Sequence, residues 1–237
     1  LGGLLRIVVL SDNKVLKSGL VAKHSLSILV ESGFTRVLFD MGIDYDVLEH
    51  NSGELGVDLA LVDYVVVSHE HVPHYGGYKY VAQEAPYVKT LIPYGTMESL
   101  GSLFRLSGLR PFEVSKWTKL GEGIFVTPPH YGPPYEHFLV LNASKGLVVV
   151  SGCMHPGVKV LRDIKEFFNR EVYAVIGGFH MQNAPSDLAT RYARFVAEEV
   201  KPGFVVPLHC SGARFAELLR GHGIEVLEGG AGLELTI

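Results

Sequence analysis

Short apolar runs separated by polar or glycine-containing breaks set the pattern of the chain. Near the N-terminus LRIVVL, SLSILV and RVLFD have the length and β-branched content of buried strands. YDVLEHNSGEL reads as a helix, DYVVVS returns to a strand, and a further helix is expected to begin near Gly76. IFVTP, HFLVLNA and GLVVVSG form a second strand group, the last two joined by a turn at NASKG. After that, helices and strands alternate. Val158, Leu161, Ile164 and Phe168 recur at helical spacing in VKVLRDIKEFF. The strand VYAVIGG, the helix DLATRYARFVAEEV, the strand FVVPL, the helix ARFAELLR and a closing strand complete the order. Strand groups alternating with helices in each half predict an α/β fold of sheets covered by outer helices. No linker rich in Pro, Gly or Ser divides the chain, so residues 1–237 are read as one domain of two similar halves.

Composition supports a folded core: 47% of the 237 residues are hydrophobic and only 19% are charged. The net charge of -4 and the lack of any Lys/Arg run argue against a nucleic-acid partner. An anionic small substrate remains compatible, because a local pocket can oppose the global sign. No apolar run approaches the ~20 residues that span a bilayer. LGGLLRIVVL lacks a basic start and a cleavage pattern, and is read as a first strand rather than a signal peptide. No membrane association and a cytoplasmic location are expected; nothing in the sequence sets the oligomeric state. Two cysteines, Cys153 and Cys210, cannot form a disulfide framework, and both lie beside histidines, in GCMH and LHC.

Candidate chemistry collects where the apolar runs stop. RVLF ends at Asp40, DYVVVS at His69 and His71, GIFVTPP at His130, GLVVVSG at Cys153 and His155, VYAVIGGF at His180, and GFVVPL at His209 and Cys210. Strand ends are where open α/β sheets present ligand groups. VVVSHEHVPHYGG crowds His69, His71 and His74 into six positions. In an extended segment residues i and i+2 face the same side, so His69 and His71 are placed to share one metal. A turn then returns His74, and Gly76-Gly77 permits close packing. Imidazole suits zinc, iron, nickel and copper. The competing reading is three hydrogen-bonded histidines on a polar loop.

SHEHVPHYGG resembles the H-x-H-x-D-H signature of the metallo-β-lactamase superfamily. DN at 12–13, AKHSLSILVE at 22–31, VLFDMG at 37–42, LEHN at 48–51, SGCMHPG at 151–157, IGGFHM at 176–181 and PLHCSG at 207–212 resemble one branch of it. That branch includes 7,8-dihydropterin-6-yl-methyl-4-(β-D-ribofuranosyl)aminobenzene 5′-phosphate synthases. The resemblance implies an αββα sandwich of two mixed sheets with outer helices. It implies that His69 and His71 hold a first metal, that His74 belongs to a second, and that Asp40 orients the metal loop without ligating. Cys153 stands where the superfamily carries a bridging Asp, and is either a thiolate ligand or a small buried residue. His155 and His209 are expected ligands. His180 is either a further ligand or a substrate-facing acid/base. His130, in FVTPPH, resembles the histidine of T-P-G-H and is either ligand or pocket residue. His24 matches a branch motif with its role open, while His50, His137 and His222 read as ordinary polar residues.

Pro73 departs from the pattern, standing where the signature has its Asp. Proline brings no ligand and no N–H, and Glu70, between two inward histidines, should point away. One firmly held metal is therefore expected, zinc first and iron or another divalent ion as alternatives, with a second site weak or absent. Three functions follow from the resemblance. The first is a metal-dependent hydrolase of a phosphoester, lactone or similar small anionic substrate, with His180 as the catalytic residue that protonates a leaving group or positions the substrate. The second is a transferase joining a dihydropterin methyl diphosphate to ribofuranosylaminobenzene phosphate. The third is a non-catalytic metal-binding or sensing protein with a degenerate second site.

Overall fold

The computed structural model describes residues 4–237; residues 1–3, part of the expected first strand, lie outside the described residues. Strand periodicity explains the layering. In the strand Leu5–Ser11, Ile7 and Val9 face a central core, while Val8 and Leu10 face an outer one. In Gly146–Ser151, Val148 and Val150 join the same central core, while Leu147 and Val149 turn to the opposite outer layer. Both faces of each sheet are thus buried, which is why these strands read as continuous apolar runs rather than alternating ones.

The first sheet runs in the order Glu234–Thr236, Leu5–Ser11, Ser27–Ser32, Thr35–Phe39, Tyr64–Val66, Lys89–Pro93, Arg110–Val114. The second runs Phe204–Pro207, Val172–Gly177, Gly146–Ser151, Leu139–Ala143, Ile124–Val126, Thr118–Gly121. Helices Tyr45–Glu54, Tyr78–Glu84 and Ser102–Ser107 cover the first sheet through Leu48, Val81 and Phe104. Helices Lys159–Phe168, Ser186–Phe195 and Ala213–Gly221 cover the second through Leu161, Ala193 and Phe215. The result is an α/β sandwich of two mixed sheets between helical layers. The C-terminal strand crosses back to pair with Leu5–Ser11 in the first sheet, so the two sheets are not cleanly consecutive halves. No helix among the described residues is long and apolar enough to cross a membrane.

Several elements differ from the sequence expectation. The helix expected near Gly76 begins at Tyr78, after a separate one-turn helix Val72–Tyr75. HFLVLNA enters its strand only at Leu139. Strands Lys89–Pro93, Arg110–Val114 and Thr118–Gly121 had no clear apolar signature; the last two are sheet edges with mainly half-buried positions. An edge also tolerates Pro111, which has no N–H to donate.

Parallel pairing brings the chemistry to one rim. Phe39 pairs with Val66 in the first sheet, and Ser151, Gly177 and Pro207 align in the second. The segments leaving these positions carry Asp40, His69, Cys153, His180 and His209 to the same end of the sandwich.

Candidate metal centre

Asp40 sits at the end of its strand in a left-handed backbone conformation, φ 60°, fully buried. Its Oδ1 accepts the Ser68 N–H at 2.7 Å, and its Oδ2 accepts both the Ser68 hydroxyl at 2.8 Å and His74 Nδ1–H at 2.7 Å. With its proton committed to Asp40, the Ser68 hydroxyl accepts from His69 Nδ1–H at 2.8 Å. One carboxylate thereby sets two imidazole tautomers, leaving Nε2 of each free to act as a ligand. His69 Nε2 has no hydrogen-bond partner among the described residues. His74 Nε2 lies 3.2 Å from Cys153 Sγ. Burial pushes the Asp40 carboxyl well above its ordinary pKa range, and pushes His74 down to about 3.

Pro73 occupies the first turn of Val72–Tyr75, where an N–H would lack a helical partner in any case. That turn swings His74 inward to only 1% exposure. Gly76 and Gly77 lie so close to Ile43 O and Met41 O that neither position accommodates a Cβ. The segment between His69 and His71 is not extended as expected: His71 N–H donates to His69 O at 3.1 Å, folding the loop tightly. The two rings still meet edge to face at 4.8 Å, but His71 remains exposed at the rim.

A second buried carboxylate builds the loop after Gly146–Ser151. Glu136 Oε1 accepts the Cys153 and Met154 N–H groups at 2.8 and 3.0 Å, and Oε2 accepts the His155 N–H at 2.7 Å. Those bonds hold Met154 in a left-handed conformation and carry Cys153 and His155 onto the histidine cluster. Desolvation still dominates, raising the Glu136 carboxyl to about 7. Gly152 is required where it stands, since a Cβ there would overlap Ser68 Oγ. His137, read from the sequence as an ordinary polar residue, is fully buried and bonds Val67 O at 2.8 Å through Nε2 beneath the His69 loop.

His209 enters from the Phe204–Pro207 end with φ 50°. Asp12 accepts its N–H at 2.6 Å, and Asn13 Oδ1 accepts Nδ1–H at 2.9 Å, again turning Nε2 inward. Asn13 Nδ2 also donates to His209 O and approaches His24 Nδ1 at 3.2 Å, which places His24 against the His209 ring on the open side. Burial lowers His209 to about 2 and His155 to about 3, so both are neutral and ligand-competent near pH 7. His180 is exposed, also has a positive φ of 54°, and its backbone N–H donates to Cys210 Sγ at 3.2 Å.

Three groups of donors, each confined within 4.8 Å, result: His69, Cys153 and His155; His74, Cys153 and His209; Cys153, His180 and Cys210. Cys153 belongs to all three. The donor chemistry fits a divalent cation: imidazoles of His69, His74 and His209 with Nδ1 anchored, an orphaned Nε2 on His69 and another on His155, and a thiol between them. The His74 group reaches three donors without help from residue 73. His71 lies 5.0 Å ring to ring from His155 but falls outside these groups, and His130 is farther removed, packed 6.0 Å from the Phe138 ring. Sequence reasoning missed Glu136, His137 and the orienting roles of Ser68 and Asn13; Ser68 and Asn13 carried a signal, in the SHEHVPHYGG and DN motifs, while Glu136 and His137 carried none.

His74, Cys153, His155, His180, His209 and Cys210 line a cavity of about 720 Å³, while His69 is fully buried and outside its lining. Met181, Ala184, Leu188 and Tyr192 make one wall, and among the described lining residues there is no Lys or Arg.

The model of the metallo-beta-lactamase superfamily matches residues 20–209. An uncharacterized protein of Methanocaldococcus jannaschii is 25% identical over 240 residues, 87% of this chain and 90% of the relative. From the same organism, 7,8-dihydropterin-6-methyl-4-(beta-D-ribofuranosyl)-aminobenzene-5'-phosphate synthase is 26% identical over 216 residues, 70% of this chain and 74% of the relative. Among solved structures, Tm1679, a metal-dependent hydrolase of the beta-lactamase superfamily, superimposes with a TM-score of 0.85 at 28% identity, covering 98% of this chain and 99% of that one. The fold alone is shared with YhfI from Bacillus subtilis, at a TM-score of 0.73 and 14% identity over 99% of this chain and 100% of that one. With the matched region spanning both sheets and the whole histidine cluster, the chain belongs to the metallo-beta-lactamase superfamily.

Proposed function

We propose that this protein is a metal-dependent hydrolase of a small molecule. The observation that carries the proposal is the convergence of two imidazole–thiol groups on Cys153 at the floor of one cavity. His69, Cys153 and His155 would hold a first cation, and His74, Cys153 and His209 a second. Their nitrogen and sulfur donors suit zinc, with iron as the alternative. A divalent cation there supplies Lewis acidity toward a carbonyl or phosphoryl oxygen and activates water at neutral pH.

The chain's own side chains divide the remaining work. Asp40 and Asn13 keep the imidazole ligands in one tautomer, so no reorganisation is needed when a ligand arrives. His71 and His180 face the open side and contact the substrate. The neighbouring Cys210 side chain raises the His180 pKa above its ordinary value, favouring a protonated imidazole that gives its proton to the leaving group. The Met181–Tyr192 wall packs an apolar part of the substrate. With no Lys or Arg on the described lining, a lactone, carboxylic ester or phosphate monoester fits better than a diphosphate.

The pterin-related relative favours a second reading, transfer between a dihydropterin methyl diphosphate and an aromatic amine. The test is a panel of lactones, carboxylic esters and phosphomonoesters, each with stripped and zinc-loaded protein, beside diphosphate release with and without an aminobenzene acceptor. Zinc-dependent hydrolysis on the panel supports the proposal. Diphosphate release that requires the acceptor replaces it with the transferase. Metal binding without turnover on either arm would leave a sensing protein.

A further inference from the structure

The third donor group has a different character. Cys153, His180 and Cys210 contribute two sulfurs and one nitrogen within 4.8 Å, all lining the cavity. Both thiols are free and buried, at 3% and 7% exposure. The backbone is arranged to close this group. Gly178 has no room for a Cβ, which would overlap Gly152 O and come within 2.8 Å of Cys210 Sγ, so the two strand ends approach as closely as backbone allows. His180 takes a left-handed conformation unusual for a residue with a side chain, and in doing so both aims its N–H at Cys210 Sγ and brings its ring beside that of His155 at 4.5 Å.

We propose that Cys153, His180 and Cys210 form a sulfur-rich site for a soft or borderline cation such as zinc, cadmium or copper(I), separate from the two histidine-rich positions and sharing only Cys153 with them. Cation binding at this site does not depend on the hydrolase reading; only its inhibitory consequence rests on it. Hard oxygen-seeking cations are disfavoured throughout the cluster, because the three nearby buried carboxylates are already engaged: Asp40 by Ser68 and His74, Glu136 by three backbone N–H groups, and Asp12 by the His209 and Lys14 N–H groups. The sulfur site also has a functional consequence. A cation held on His180 withdraws that imidazole from substrate, so thiophilic ions in excess act as inhibitors.

The test uses the full chain, stripped of metal and titrated with cobalt(II) under anaerobic conditions. Sulfur-to-cobalt charge transfer in the near ultraviolet reports thiolate ligands, and scales with their number. With all three groups filled, Cys153 supplies three cobalt–sulfur contacts and Cys210 one, so at saturation Cys210→Ser is expected to lose about a quarter of this absorption and Cys153→Ser about three-quarters. His180→Ala should keep the band at low affinity while altering the visible d–d bands. X-ray absorption on zinc-loaded wild-type protein supplies a measurement that needs no variant, with an average sulfur count above one per zinc expected. Cys210→Ser with wild-type absorption, or a zinc spectrum fitted by a single sulfur per zinc at full loading, overturns the sulfur site. Absence of any cobalt binding overturns it too, together with the metal reading of the neighbouring groups; absence of turnover alone bears only on the hydrolase.

Discussion

Asp40→Asn changes one atom at the point where two ligands are oriented. The amide keeps an acceptor for the Ser68 N–H, but places an NH2 opposite the Ser68 hydroxyl at 2.8 Å and His74 Nδ1–H at 2.7 Å. Donor then faces donor at His74, while the Ser68 hydroxyl must turn to accept from the amide and reverses its bond to His69 Nδ1. Each lost bond to a buried carboxylate is worth roughly 1.5–3 kcal/mol. Part of that loss is returned, because the amide removes a charge that burial already penalises enough to push the Asp40 pKa well up. A net destabilisation of the metal-free protein of about 1–3 kcal/mol follows. The larger effect falls on the metal. His74 is free to present either nitrogen, and Ser68 no longer holds His69 in its ligating tautomer. Zinc affinity should drop ~10–100-fold, equivalent to about 1.4–2.7 kcal/mol. The assay is competition against a chromophoric chelator near neutral pH, with a thermal melt of the same metal-free sample to establish folding. Ser68→Ala, which breaks only the relay to His69, should give a smaller loss. A folded Asp40→Asn protein binding zinc within about twofold of wild type would refute the orienting role.

Gly152→Ala should lower the melting temperature and weaken zinc binding together, because its Cβ overlaps Ser68 Oγ and forces the two loops apart; overpacking of this kind costs about 1–3 kcal/mol, read by denaturant melts. Pro73→Asp adds a carboxylate to the cavity lining beside His74 and should tighten the second zinc equivalent by about tenfold or more, measured by calorimetric titration. The metal-free protein should lose stability as pH falls from 6.5 toward 4. Burial holds His74 near 3 and His137 near 4, so the unfolded chain takes up protons in that window that the native state does not, at about 1.4 kcal/mol per pH unit for each histidine. Glu136, with its pKa raised to about 7, acts in the opposite sense between 4.5 and 7, as do the raised carboxyls of Asp40 and Asp12, but these three stand against the five histidines lowered by burial, His69, His74, His137, His155 and His209. Urea melts at about pH 7, 6 and 5 check the net direction; a stability that rises toward pH 5 would contradict it.

Local pattern determined much of this protein. β-branched runs buried on both faces announce the central strands. Polar residues at their ends announce the rim, and Asp40, His69, His74, Cys153, His155, His180 and His209 were all readable there. What local pattern encodes is burial and direction along one segment. It does not encode which segments meet, and the remaining findings depend on that. His69 and His71 have the spacing of paired ligands, yet a tight turn between them leaves His71 at the rim. His130 ends an apolar run like the others, but its short strand His130–Tyr131 pairs with Tyr135–Glu136 and leaves the imidazole beside Phe138. The same hairpin delivers Glu136, a charged residue with no motif around it, to the three N–H groups of the Cys153–His155 loop. Asn13 and His209 are 196 residues apart and become partners only because the C-terminal part of the second sheet closes against the N-terminal strand of the first. The identities of the donors were a property of the sequence. Their grouping around Cys153 was decided by sheet order and parallel register, since hydrogen-bonded pairing between distant strands is what brings separate chain ends within ligand distance.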